Sequence, residues 1–162
     1  MRRSIFNICL FQIKPIIPFI IFVLLIAGCS GEQREVKKEI EREFGTAMDA
    51  YHDIWQAKDL AQAEILAKRA FNNNEIITEV LQAYKASLEI DQGINLTEKK
   101  YNISIIKHEL KTVDLKVQAT LKGFPISLTS GHKKTEKLQD FSFGPHNFKM
   151  TKEQGTWKIS SF

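Results

Sequence analysis

The chain has 162 residues, of which 23 are basic, 19 are acidic and two are cysteines, and its formal net charge is +4. Three basic residues and Cys9 lie within the first 28 residues, so the remaining 134 residues carry a net charge of only +1 and a single cysteine. That balance excludes the strong basic footprint of a nucleic-acid-binding protein and leaves no internal disulfide, so a hydrophobic core must stabilise this part of the chain.

The first 28 residues have the layout of an export signal. Arg2 and Arg3 form a basic end, an uncharged apolar run of fourteen residues extends from Pro15 to Gly28, and the sequence then turns polar at CSGEQREVKKE. In a helix such a run spans about 20 Å, which is short of the roughly 30 Å hydrocarbon core of a bilayer. The length favours a signal peptide over the alternative, an uncleaved helix that crosses the membrane.

The four residues that end this run, IAGC over 26–29, resemble the lipobox of bacterial lipoproteins. In that motif a branched apolar residue and two small residues precede a cysteine that receives a lipid. The resemblance implies cleavage after Gly28 and palmitate-type acylation of Cys29, which becomes the first residue of the mature protein. Two or three acyl chains give stable anchoring, whereas one chain binds a membrane only marginally.

These features predict a signal peptide over residues 1–28, a lipidated tether over 29–34 and a domain over 35–162. The protein would contact the membrane through acyl chains on Cys29. Ser30 is not the aspartate that often retains lipoproteins at the inner membrane. The expected location is therefore the cell envelope, at the outer membrane facing the periplasm in a two-membraned cell and otherwise at the outer face of the plasma membrane.

The domain begins with helical patterns. Apolar residues recur at spacings of three and four from Val36 to Trp55, which predicts one long amphipathic helix. A second helix is predicted over Leu60–Phe71. Asn74 is predicted to cap a third helix, and Gly93 is predicted to end it.

After Leu96 the period of the apolar residues changes to two, which is typical of strands. A first strand is predicted around residues 101–105, and the uninterrupted alternation over 113–122 predicts the clearest strand of the chain. GFPISLTSGHKK is predicted to be a bend and a loop. Further strands are predicted at Lys134–Phe143, at Asn147–Thr151 after a break at Gly144-Pro145, and from Trp157 to the end after a tight turn at KEQGT.

Helices followed by a run of antiparallel strands indicate an α+β fold in which a curved sheet wraps the helices. The segments YHDIWQAKD, VDLKVQATLKG and FKMTKEQGTWKISSF, in this order, resemble the NTF2-like superfamily. The resemblance spans residues 32–162. It implies a cone of about three N-terminal helices packed on a curved antiparallel sheet of about four strands.

Enzymes of this superfamily place acidic, histidine or tyrosine side chains inside the cone, and the nearest equivalents here are His52 and Asp53. Adjacent residues on a helix point about 100° apart, so both cannot face one site, and a solvated pair at the helix end is expected. The histidines are scattered and lack the short spacings of metal ligands. No catalytic residue, metal or cofactor is therefore predicted.

The predicted lining of the cone consists of Tyr51, Trp55 and Tyr84 on the helices and Ala119 on the clearest strand. Large side chains outnumber small ones on the later strands, which favours a filled cone over an open apolar pocket. Further aromatic residues expected to line or fill the concave face are Phe141, Phe143, Phe148, Trp157 and Phe162.

The predicted function is that of an envelope lipoprotein acting as a non-catalytic module for ligand binding or protein assembly. Its sheet face would contact a protein partner or a second copy of the chain, as the superfamily resemblance implies. The alternative is an enzyme acting on a small hydrophobic substrate in the cone, which an open cavity beside an inward carboxylate of raised pKa would favour. A stress-related or surface-structural lipoprotein is a third class that the sequence does not separate from the first.

Overall fold

The computed structural model describes the backbone of residues 16–162 and the side chains of residues 34–162. Within the described part, no helix has the length and apolar character needed to cross a bilayer. The chain divides into two compact units between Glu39 and Ile40. The elements in chain order are α1 (Ile16–Ile54), α2 (Leu60–Ala70), α3 (Asn74–Glu89), β1 (Gly93–His108), β2 (Thr112–Ile126), β3 (Gln139–Asp140), β4 (Phe143–Glu153) and β5 (Thr156–Ser161).

Helix α1 includes the amphipathic helix predicted from Val36 to Trp55 except for its last residue, and it also runs unbroken through residues 29–34, the predicted tether. The basic end of the predicted signal peptide and the side chain of Cys29 lie outside the described residues. From Ile40 onward one face of the helix is buried, with Ile40, Phe44 and Ile54 fully shielded from solvent. The apolar stripe seen in the sequence is therefore the face that packs on the rest of the second unit.

Side-chain caps set the starts of the next two helices. The Asp59 carboxylate accepts a hydrogen bond from the Gln62 amide at 2.8 Å, and the Asn73 side-chain oxygen accepts one from the Glu75 amide at 2.9 Å. These bonds satisfy amides that the first turn leaves without a partner. The cap of α3 is thus Asn73, and the prediction of Asn74 was wrong by one residue in a run of three asparagines.

Gly93 does not end α3, which stops at Glu89, but begins strand β1. A Cβ atom at this position would overlap the backbone oxygen of Trp55, so only glycine allows the strand to pass so close to the end of α1. The amide of Ile94 donates a hydrogen bond to that same oxygen at 3.2 Å. The contact fixes the start of β1 against the last turn of α1.

The strands form one antiparallel sheet in the order β1-β2-β4-β5, with the two-residue β3 beside β2. Strand β1 has 16 residues and pairs with nearly the whole of β2, so the predicted first strand was too short. The pairing of Gly93–Leu96 with Gly123–Ile126 also places the segment GFPI in β2 instead of the predicted loop. The region predicted as a strand at Lys134–Phe143 contributes only β3 and the first residue of β4.

Strand β4 continues through Gly144-Pro145, where the peptide bond is cis, and does not break there as predicted. Strands β4 and β5 form the predicted closing hairpin around Gln154 and Gly155, both of which have positive φ. The inward face of β2 carries Val113, Leu115, Val117, Ala119 and Leu121, all buried. The predicted α+β fold class, three helices packed on a curved antiparallel sheet in a cone, is confirmed.

Candidate apolar ligand cavity

The cone is open. A cavity of about 610 Å³ is lined by seventeen residues from α1, the end of α3, strands β1, β2, β4 and β5 and the segments between them. This volume falls in the range of roughly 300 to 1,000 Å³ that is typical of sites for small molecules. The expectation that large side chains would fill the cone was therefore wrong.

Several aromatic rings on the wall of this cavity contact one another. The ring of Tyr51 makes edge-on contacts with Trp55 and Phe71, at centroid distances of 6.1 and 5.7 Å. Phe162 continues the series by contacting both Phe71 and Phe148 at 6.0 Å. Such contacts stabilise the positions of the rings in the wall.

Two of the four residues predicted to line the cone do so. Tyr51 and Trp55 are part of the wall, whereas Tyr84 and Ala119 are buried behind it. The hydroxyl of Tyr84 donates a hydrogen bond to the backbone oxygen of Ala57 at 2.8 Å, which holds α3 against the segment between α1 and α2.

On β2 the wall is formed by Leu121, two residues beyond Ala119 on the same face. Of the five further aromatic residues, Trp157 is buried away from the cavity, beside His108. The others line it: Phe141, Phe143, Phe148 and Phe162.

The expectation of a solvated His52 and Asp53 pair was right for Asp53, which is exposed, and wrong for His52. His52 is only 6% exposed and belongs to the cavity wall. It lies four residues after Met48 and three before Trp55, both of which also line the cavity, so this spacing places all three on one face of α1. That periodicity was the signal in the sequence that could have identified His52.

The imidazole of His52 is in hydrogen-bond contact with β1. Its Nδ1 lies 3.2 Å from the hydroxyl oxygen of Tyr101, and the two rings are nearly parallel, with an interplanar angle of 10°. Burial, reinforced by the ammonium group of Lys99, lowers the pKa of His52 to about 4, although the Asp49 carboxylate opposes the shift. Burial also raises the pKa of Tyr101. Both groups are therefore uncharged at neutral pH.

The mouth of the cavity combines exposed apolar and polar residues. Ile90 and Phe162 line the cavity and yet are 64% and 63% exposed, so they mark where it opens to solvent. Gln92 and His146 are exposed wall residues of the same kind. The Lys134 ammonium donates a hydrogen bond to the backbone oxygen of Ile90 at 3.5 Å, which places a cation beside the mouth.

The chemistry of the wall is uniform. Twelve of the seventeen wall residues are apolar and five are polar, and none of the described side chains that form the wall is acidic, lysine or arginine. Across residues 34–162, no three histidine, cysteine, aspartate or glutamate side chains come together in a way that could hold a metal ion. The arrangement suits an apolar molecule with few polar groups.

No protein-family profile matches the chain, and no curated protein is detectably similar to it in sequence. Among solved structures, the chain is similar to the crystal structure of the intermembrane space region of the chloroplast protein ARC6, with a TM-score of 0.50 and 8% sequence identity. The similarity covers 71% of this chain and 88% of that one. At this level of identity the likeness shows a shared α+β fold alone.

Proposed function

We propose that this chain is a membrane-anchored envelope lipoprotein whose domain, residues 35–162, binds an apolar ligand in its cone without catalysing a reaction. The observation that carries the proposal is the cavity of about 610 Å³ with its aromatic wall. Burial of apolar surface contributes about 25 cal/mol per Å² to binding before the costs of association, so a wall of this kind can hold a small apolar molecule.

The proposed anchor rests on the lipobox resemblance that ends at Cys29. Acyl chains on that residue would hold the domain at a bilayer, where apolar molecules are concentrated. The domain would then take up a molecule that is poorly soluble in water and shield it within the cone. Cavity and anchor are independent features of the chain, and both fit this activity.

The absence of acidic, lysine and arginine side chains from the described wall supports binding over the enzymatic alternative. His52, the buried polar side chain on the wall, is engaged with Tyr101 and is neutral at physiological pH. The remaining polar wall residues are the half-buried Tyr51 and Ser87 and the exposed Gln92 and His146. The wall thus offers hydrogen-bonding groups suited to orienting a ligand. The open cavity also favours ligand binding over protein assembly as the main activity of the domain.

Photolabelling tests the proposal on the membrane-bound protein in lipid nanodiscs. The probe is 3-trifluoromethyl-3-phenyldiazirine, an uncharged aromatic molecule, and the cross-linked peptides are mapped by mass spectrometry. We expect saturable labelling of the peptides that carry Trp55, at the end of the first helix, and Phe148, on β4, because both residues line the cavity. Labelling confined to the region before Arg34, or labelling that never saturates, would contradict the proposal.

A pair of matched variants distinguishes labelling inside the cavity from nonspecific labelling of apolar surface. Leu96 is half-buried on the wall, so Leu96→Trp places a larger ring in the cavity and should reduce labelling severalfold. Leu110 is 87% exposed between β1 and β2 and away from the wall, so Leu110→Trp should leave the labelling pattern unchanged.

A further inference from the structure

We propose that the cavity selects an uncharged amphiphile that carries one hydrogen-bonding oxygen, of which a medium-chain alcohol is the simplest example, and that it rejects the matching carboxylate. This inference rests on the proposed function and specifies its ligand. It follows from three features of the site: the position of His52, the charge of the wall and the neighbours of the mouth.

His52 supplies the polar contact inside the cavity. Its Nδ1 is taken by the hydroxyl of Tyr101, which leaves Nε2 as the ring nitrogen available to a molecule in the cavity. If Tyr101 donates to Nδ1, then Nε2 carries the proton and donates; in the other tautomer Nε2 accepts. A hydroxyl group can both accept and donate, so an alcohol satisfies either arrangement.

The described wall has no lysine or arginine side chain that would pair with a carboxylate. Moving an ionised carboxylate out of water is strongly unfavourable unless a cation or several hydrogen-bond donors compensate for the lost solvation. Lys99 is the cation that acts on His52, but it is outside the wall and is already engaged in a salt bridge with Asp49. Charge complementarity therefore points to a neutral ligand.

A carboxylate ligand has one other possible orientation, with its head group at the mouth of the cavity. An acid could enter tail first and leave its head beside Lys134, whose ammonium lies near the backbone oxygen of Ile90. That ammonium also acts electrostatically on the Asp91 carboxylate, so its charge is partly compensated. A head group at the mouth would place the polar end next to Lys134 and the apolar tail against His52. Removing the charge of Lys134 distinguishes this orientation from the proposed one.

The test is a competition between two probes of equal chain length, 1-dodecanol and dodecanoate, against the diazirine label on the membrane-bound protein in nanodiscs at pH 7.5. Free concentrations are fixed by equilibrium dialysis. Dodecanol should halve the labelling of the wall peptides at a free concentration at least about tenfold lower than dodecanoate requires, because the acid loses its solvation on entry. His52→Phe should weaken competition by dodecanol severalfold, since it removes Nε2.

A charge placed on the wall should reverse the selectivity. Leu96→Lys puts a cation on the half-buried edge of the cavity, so dodecanoate should become the better competitor, whereas Leu110→Lys on the exposed loop should leave the preference unchanged. This variant tests the inference even if His52→Phe fails to fold.

The outcomes separate the inference from the proposed function. If dodecanoate competes as well as dodecanol in the unaltered protein, or if Lys134→Met abolishes its competition, the selectivity for a neutral ligand is wrong while ligand binding in the cone stands. If the wall peptides are never labelled, both proposals fail together. Labelling that dodecanol displaces and dodecanoate does not, with reversal in Leu96→Lys, supports both.

Discussion

The imidazole of His52 on α1 and the phenol of Tyr101 on edge strand β1 are joined by a hydrogen-bond contact of 3.2 Å, with their rings 10° from parallel. The pair links the helical layer to the sheet beside the cavity. Because His52 is buried and uncharged, we expect the stability that this link contributes to decrease as the pH falls.

Acidification from pH 6.5 to pH 4 should destabilise the protein through His52. Its pKa is about 4 in the folded state against an ordinary value of 6.5, so in this window the unfolded chain binds the proton and the folded one does not. Stability contributed by neutral His52 is therefore fully present above pH 6.5 and is lost as the pH falls toward 4. A shift of this size corresponds to up to about 3 kcal/mol. Urea unfolding at pH 7 and pH 4.5 measures it.

The variant His52→Gln isolates this contribution from that of the acidic groups. It should lose the part of the pH dependence between 4 and 6.5, whereas His132→Gln, on an exposed loop, should behave as the unaltered protein does. Equal pH dependence in His52→Gln and the parent would show that His52 is not held neutral by the fold.

Local patterns in the sequence were sufficient to predict that the three helices exist and in which order, although not all of their ends, and they did not predict the edge of the sheet. The apolar spacing of α1 and the short capping side chains before α2 and α3 are encoded within a few residues of each position. Strand β1 was underestimated because it is an edge strand whose residues from Thr97 to Lys100 are largely exposed, so no alternation marks them. Its length is set by pairing with β2, which is a non-local interaction.

Such patterns could not predict that the cone is open, for a related reason. Periodicity identifies which face of an element is apolar, and it correctly brought Tyr51, Trp55 and Phe148 toward one region. Whether those rings meet or stand apart depends on the separation of helix and sheet, which the close approach of Gly93 to Trp55 helps to set. No single segment of the sequence encodes that distance.

Tyr84→Phe should lower the free energy of unfolding by about 1 to 3 kcal/mol. The Tyr84 hydroxyl is buried and donates to the backbone oxygen of Ala57, so the variant leaves that oxygen without its partner. The midpoint of urea unfolding should fall while its slope stays unchanged, because the surface exposed on unfolding is nearly the same. A variant as stable as the parent would show that water replaces the lost donor.

Cys29→Ala should prevent lipidation and processing while the domain keeps its fold. The expectation rests on the lipobox resemblance of residues 26–29. Metabolic labelling with palmitate followed by gel electrophoresis should show label in the parent and none in the variant, which should also migrate as the longer precursor. Incorporation of label into Cys29→Ala would exclude this cysteine as the acylation site. Ser30→Ala is the matched control and should still be labelled.

Ending the chain after Gly155 should leave the domain unfolded or close to it. The change removes β5, including Trp157 and Ile159, which are buried in the core. Each large side chain contributes about 1.5 to 3 kcal/mol through burial, and the loss also exposes the β4 edge, against a total stability of about 5 to 15 kcal/mol. It also removes the bridge between Phe71 and Ile159 that joins β5 to the segment after α2.

Removing Phe162 alone distinguishes the contribution of β5 to stability from that of the residue that follows it. Phe162 was predicted to line or fill the concave face, and it lies 63% exposed at the cavity mouth, so a chain ending at Ser161 should keep most of its stability. Circular dichroism during thermal unfolding distinguishes the two truncations.

Cooperative melting of the chain ended at Gly155 near the temperature of the full chain would contradict the role assigned to β5. A large loss from removing Phe162 alone would mean that its contacts with Phe71 and Phe148 stabilise the fold as well as the cavity wall.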